Sequence, residues 1–335
     1  MDWKRPALLL LLLPALVACS SSAEEDDLDS QKQDYFDRAT IYYNKGRYTQ
    51  AYQQARRGLE LEPDNGGLNL IAGRSLLLHR DLTEVSHALY YLEIAQEELQ
   101  SYKANQAMAE WHFRYGSMLF GYAEREQDDL LKYPDSDPAV QKHNLDAALE
   151  QSAKAEEHFA SADTLLDSVL LETPDNLNAL EMSGQVNALL GANEEALAPL
   201  QNAIDLLMES RKYNNRLLAT DTNLSIVQEE YVRRVLKSDM QREVAIHFLI
   251  AGIHQSNKAY QSEEHEYTLI LGISPDSPPA LHSRGLCRYE RGRLADAASD
   301  MRNFVASTDL AFDSDQVHKA LDIISEYDSL QANNQ

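Results

Sequence analysis

Cysteine is almost absent from this chain of 335 residues, which has Cys19 and Cys287 and no others. Two thiols cannot build a disulfide-stapled scaffold or a CxxC metal knuckle. Aromatic residues make up only 8%, with 13 Gly and 10 Pro, too few β-formers and turns for a β-sandwich. Basic residues are scarce, 30 against 54 acidic, and the net charge of −24 argues against nucleic acid as a partner, since phosphate binding needs clustered Lys and Arg. Long apolar runs are missing after the first seventeen residues, which excludes a polytopic membrane protein. There is no Walker A loop, GxSxG or HExxH, so no enzyme activity, cofactor or metal is expected. What is plentiful is Ala, Leu, Glu and Gln, the composition of an all-helical body.

The first thirty residues read as an address. Lys4 and Arg5 precede an apolar stretch, Ala7 to Leu13, that is too short for a stable membrane span. Leu16-Val17-Ala18-Cys19 then resembles the bacterial lipobox. The resemblance implies a lipoprotein signal peptide over 1–18, acylation of Cys19 and anchoring in a membrane. Several acyl chains, at about 0.8 kcal/mol per buried methylene, hold such an anchor stably. Ser20 in place of Asp favours the outer membrane by the same resemblance. Residues 19–30, small and acidic, read as a flexible tether. With Cys19 acylated, Cys287 has no disulfide partner and reads as a buried structural thiol.

Three segments superimpose without gaps: 32–65, 177–210 and 278–311. Position 8 of each is Ala39, Gly184 or Gly285, position 15 is Gly46, Gly191 or Gly292, and position 20 is Ala51, Ala196 or Ala297. Pro63-Asp64-Asn65 closes the first, and Pro174-Asp175-Asn176 precedes the second. Small residues at 8 and 20 let two helices approach, Gly at 15 ends the first helix in a left-handed cap, and Pro then Asp-Asn stops one hairpin and caps the next. These segments resemble the tetratricopeptide repeat (TPR). The resemblance implies an all-α, TPR-type helical-hairpin solenoid, a right-handed superhelix whose first helices line a partner-binding groove.

Further units are expected at 66–101 and 244–277. Glu263 falls at position 20 of the latter and puts its packing in question. Residues 104–173 read as one extended hairpin, 223–237 as an extra helix ahead of a Ser238/Gln241 capping box, and 313–330 as a C-terminal capping helix. The reading totals about fourteen helices in one solenoid domain spanning 31–330.

By the family's pattern the groove candidates are Phe36, Thr40, Tyr43, Leu70, Arg74, Gln185, Phe248, His282 and Tyr289. Their mixture of apolar and polar types suits a peptide segment of a protein partner. His247 and His254 are too far apart on one helix to share a metal, and Glu156-Glu157-His158 and Glu264-His265-Glu266 read as solvated faces. The basic residues of 211–242 form a local exception to the acidity. The expected function is a membrane-anchored, non-enzymatic scaffold on the periplasmic side of a bacterial envelope. The second reading is a small-molecule-binding component of an envelope transport system, with Trp111, Tyr115 and Phe159 framing an apolar cavity.

Overall fold

A computed structural model of the chain describes residues 13–78, 81–133, 137–221 and 223–333, with 13–27 and 333 described by backbone alone. Lys4, Arg5 and most of the apolar run lie outside the described residues, as does the side chain of Cys19. Among the described residues there are thirteen helices and no strand. They fall into two compact units that divide after Pro174. A single solenoid domain was expected. The division falls at a helix stop, where Thr173 before Pro174 leaves the helical conformation (φ −134°, ψ 76°).

The first unit holds three hairpins: α1 (Leu13–Asn44) with α2 (Tyr48–Leu59), α3 (Gly66–Leu77) with α4 (Leu82–Leu99), and α5 (Tyr102–Lys132) with α6 (Pro138–Glu172). Consecutive helices pack, and α3 also touches both α1 and α5, so the first helices of the hairpins make one row. The second unit holds α7 (Leu177–Leu189) with α8 (Asn193–Thr220), α9 (Ile226–Ser256) with α10 (Tyr260–Ile273), α11 (Pro278–Glu290) with α12 (Leu294–Ser307), and α13 (Asp315–Asn333). This is the all-α, TPR-type hairpin solenoid expected, with one extended hairpin and a terminal helix. α13 buries Val317, Ala320 and Ile323 against Met301 and Phe304, which is what a capping helix must do.

The repeat positions act as their chemistry requires. Gly46, Gly191 and Gly292 are left-handed, at φ +70°, +75° and +72°. At the first, Gly46 N–H donates to Tyr43 O (2.9 Å) and Arg47 N–H to Tyr42 O (2.9 Å), a Schellman motif, and both others repeat it. Asn65 and Asn176 accept the N–H of Leu68 and Ala179 and so cap α3 and α7. Ala39 and Ala51 are fully buried. A Cβ on Gly184 would run into Leu200, itself fully buried, so only glycine allows that approach. Trp111 Nε1 donates to Val85 O (2.7 Å) and fastens α5 to α4.

Three expectations change. The tether region is helical, as part of α1, which begins at Leu13 and contains neither Gly nor Pro from Ala15 to Asn44. The expected boundary at 237–238 is absent: α9 is continuous, and its capping box is Ser225 with Gln228, thirteen residues upstream of the Ser238/Gln241 pair. Both sites have the S-x-x-Q spacing, but only Ser225 follows an interruption between helices, after α8 ends at Thr220. Merging the two helices reduces fourteen to thirteen. Finally, Glu263 is accommodated at 3% exposure, beside Tyr267 and Cys287.

The 244–277 unit has no glycine at position 15, yet Lys258 adopts the left-handed conformation (φ 55°) and the same two backbone bonds form, Lys258 N–H to Gln255 O and Ala259 N–H to His254 O. A left-handed non-glycine residue costs about 1–2 kcal/mol. Lys258→Gly is therefore expected to stabilise the protein by about 1 kcal/mol, and Gly184→Ala to destabilise it by about 1–3 kcal/mol. Urea unfolding followed by circular dichroism checks both, and a lower midpoint for Lys258→Gly would contradict the strain argument.

Candidate functional site

In the first unit the row formed by α1, α3 and α5 carries five of the groove candidates. Phe36 packs into the core cluster around Ala39 and Leu68, and Leu70 against that around Leu76 and Trp111, so both serve packing as well as surface. Thr40 Oγ1 donates to Phe36 O (2.9 Å) within α1. Tyr43 meets Tyr48 edge to face, with centroids 5.5 Å apart. Burial raises its hydroxyl pKa above the ordinary value, and the charges of Arg74, Glu110 and Arg114 act on it too. Arg74 Nη2 donates to Lys103 O (3.3 Å), while its Nε is buried without a hydrogen-bond partner. Arg114 pairs with Glu110 at 3.2 Å. Tyr43, Arg74, Glu110 and Arg114 therefore form a half-buried polar cluster on this row. The sequence reading missed Glu110 and Arg114. Their i, i+4 acid–base spacing was visible, but the repeat register through α5 was not.

In the second unit Phe248, His282 and Tyr289 border one core cluster, while Gln185 lies on α7. Gln185 is exposed on α7. Phe248 packs on Tyr267 at 6.1 Å within a core cluster. His282 stacks near Phe304 at 4.8 Å, its Nε2 buried without a partner, and burial lowers its pKa. Tyr289 donates its hydroxyl to Glu326 Oε2 on α13 (2.9 Å), with Lys319 Nζ 5.2 Å from its ring, so the terminal helix engages it.

The cavity expected around Trp111, Tyr115 and Phe159 is filled. Trp111 and Phe159 are 4% and 0% exposed, and Tyr115 stacks on Trp111 at 5.1 Å. Nor is the Glu264-His265-Glu266 stretch a solvated face. Glu264 and Glu266 are buried, and only His265 is exposed. His247 Nδ1 lies 2.6 Å from Glu266, and Glu264 meets Arg288 (2.8 Å), Arg293 (2.7 Å) and Arg291. Burial opposes ionisation of Glu264, but these guanidiniums outweigh it and lower its pKa. Asp300 takes Arg284 and Arg288 at 2.8 and 2.7 Å. These acids hold α10, α11 and α12 together.

The basic residues of 211–242 divide in two. Arg211 pairs with Glu243 (2.7 Å), Arg233 with Glu229 (2.6 Å), and Arg242 with Glu181 (2.8 Å) and Asn178 (2.7 Å). Lys212, Arg216, Arg234 and Lys237 are exposed and make no ion pair among the described residues. Cys287 is a buried thiol that donates to Tyr260 O (3.1 Å), and burial pushes its pKa up to about 11, which removes the reactive thiolate. Among the described residues, no group of three His, Cys, Asp or Glu is placed to hold a metal ion.

No protein-family model matches the chain, and no curated protein matches it. Solved structures that align with it include a thermophilic TPR protein from Thermus thermophilus (16% identity, 79% of this chain and 98% of that chain, TM-score 0.41). A second is a tetratricopeptide repeat protein from Parabacteroides merdae (13% identity, 88% and 98%, TM-score 0.36). A third is Acl4, an assembly chaperone of RpL4 (16% identity, 80% and 99%, TM-score 0.34). The resemblance to the TPR pattern rests on the chain's own glycine caps and paired small residues.

Two buried titratable groups give opposite pH signatures. His112 and His158 place their Nδ1 atoms 2.9 Å apart between α5 and α6. Burial, then the charge of His158, lowers His112 from 6.5 to about 4, and burial lowers His158 against the pull of Glu157. A base depressed on folding contributes stability above pH 6.5 that is lost as the pH falls toward 4. The thermal midpoint should drop across that window, and drop less in His112→Gln. Glu263 is the converse, because burial raises its carboxyl pKa. Its stabilising contribution is present in acid and lost as the pH rises. Glu263→Gln should raise the thermal midpoint at about pH 7 and converge with the parent near pH 4. A constant offset at both pH values would contradict the assignment.

Proposed function

We propose that this chain is a non-enzymatic protein–protein interaction scaffold, held through an acylated Cys19 on the periplasmic face of the bacterial outer membrane. The observation that carries the scaffold reading is the row made by α1, α3 and α5, with Tyr43, Arg74, Glu110 and Arg114 half-buried together on it. A half-desolvated aromatic beside guanidiniums and a carboxylate is the mixture that peptide grooves use, with apolar contact for affinity and charge for register. Arg74 supports the same reading. Its buried Nε has a donor to offer that the chain itself leaves unanswered.

The lipobox residues Leu16-Val17-Ala18-Cys19 support the anchor. No helix of the described residues is long and apolar enough to cross a membrane. Anchoring at one end leaves the hairpins free to engage a partner.

Two measurements test the two halves separately. Cys19→Ala should move the protein from the membrane to the soluble fraction of the envelope, and retention with membranes would overturn the anchor. Crosslinking in intact cells through a photoreactive residue at Tyr43 should capture a protein partner. Arg74→Glu should reduce that capture by about tenfold. Undiminished capture in Arg74→Glu would remove the groove from the mechanism.

A further inference from the structure

The hairpin α9–α10 is mismatched in length. α9 runs for 31 residues and α10 for 14. α10 folds back through a turn at 257–259, and its last residue, Ile273, comes beside Val244. The half of α9 from Ile226 to Val244, about 27 Å long, therefore has no α10 beside it. One flank of this half is covered by the overshoot of α8, through Ser210 to Asp239 (2.7 Å) and Arg211 to Glu243 (2.7 Å). On the other flank is a cavity of about 510 Å³, floored by Leu236, Met240, Val244 and Ile273 and edged by Arg233 and Lys237.

The α9 lining follows steps of three and four residues: Arg233, Lys237, Met240 and Val244 lie on one stripe. Continued upstream, the same stripe passes Glu230 and reaches Ile226, which is 84% exposed. Val227, Tyr231 and Tyr213 on the same two-helix extension are 72%, 62% and 67% exposed. Apolar surface concentrated in this way marks an interaction site. The free cations here, Arg234 and Lys237 with Lys212 and Arg216 on α8, are local exceptions in a chain of net charge −24.

We propose that this shelf receives an acidic amphipathic helix of a partner protein, laid along α9 in the place that a longer α10 would fill. The inference rests on the scaffold reading and adds a second, chemically defined docking surface to it. The shape selects a helix. An extended peptide gains its affinity from an open sheet edge, and a helix face offers none. Apolar residues of the occupant meet Met240, Val244 and Ile273 at one end of the stripe and Ile226 at the other, with Arg233 and Lys237 between them. The charge selects an acidic helix: carboxylates flanking its apolar stripe meet Arg233, Arg234 and Lys237, while Lys and Arg there would be repelled.

The test uses the purified Cys19→Ala chain, so that no detergent occupies the shelf. The probe is a labelled helical peptide of about eighteen residues, with leucine along one stripe and glutamate on the flanks. Beside it are measured the same peptide with lysine for glutamate, and palmitate as a small amphiphile. Saturable binding of the glutamate peptide is expected, weakening with salt and at least about tenfold tighter than the lysine peptide. The double variant Arg233→Glu/Lys237→Glu and the single variant Met240→Asp should each weaken it about tenfold with unchanged thermal midpoints, because these side chains are exposed. Equal binding of the two peptides, or no effect of Met240→Asp, would overturn the proposal. So would saturable uptake of palmitate without peptide binding, which would assign the shelf to a small anionic amphiphile. Partner capture through Tyr43 is the independent readout: capture there without peptide binding here leaves the scaffold standing and rejects the shelf.

Discussion

Each hairpin closes only if its two helices can meet over a residue no larger than alanine. Ala39 with Ala51, Gly184 against Leu200 and Gly285 against Met301 are the points where this happens. Everything built on the hairpins inherits that contact. It fixes the distance at which Leu200 or Leu92 can be buried completely, each burial contributing about 1.5–3 kcal/mol. It also sets the angle at which the next hairpin arrives. The left-handed cap at position 15 then decides where the first helix ends. The cap is more stringent than the residue that usually supplies it, since Lys258 is held in the same conformation where glycine is missing. Geometry is retained there at a cost in strain, which shows that the turn belongs to the stack as much as to the local sequence.

Helix length is the variable that the repeat leaves free, and this chain uses it twice. In α5–α6 both helices lengthen together, so each covers the other and the added surface is filled by Phe159, Trp111 and the His112–His158 pair. In the second unit the lengthening is out of step. α8 and α9 overshoot as neighbours, and α10 stays at its repeat length. Matched lengthening makes core, while mismatched lengthening makes an exposed shelf. The same physical operation thus yields a filled hairpin core in one unit and an exposed shelf of mixed apolar and basic side chains in the other.

The parts of this fold that were legible in the sequence were those governed by single residues with one physical task. Gly46, Gly191 and Gly292, the small residues at positions 8 and 20, and Asn65 and Asn176 marked their elements correctly because nothing else does those jobs at those spacings. Segments whose outcome depends on neighbours were not legible. Ser238–Gln241 has the pattern of a capping box yet lies inside α9, because a cap needs an interrupted backbone and the sequence contains no stop there. Glu264 and Glu266 resembled a solvated face because their partners, Arg288, Arg291, Arg293 and His247, come from other helices. The groove candidates were placed on a row by the repeat pattern. What each touches, such as Tyr289 on Glu326 or Phe248 on Tyr267, was decided by α13 and α10.

The acidity of the chain takes on a different meaning once the ion pairs are assigned. Arg284, Arg288, Arg291 and Arg293 are occupied by Glu264, Asp300 and Asp296, Arg211 by Glu243, and Arg242 by Glu181. Most of these acids are buried, and removing one partner of such a pair would cost about 3–5 kcal/mol. A chain with only 30 basic residues has therefore committed several of its arginines to pairs with its own acids, which leaves fewer cations free for a partner. On the α8–α9 extension Lys212, Arg216, Arg234 and Lys237 lie beside apolar side chains exposed by more than half, so charge and apolar surface coincide there.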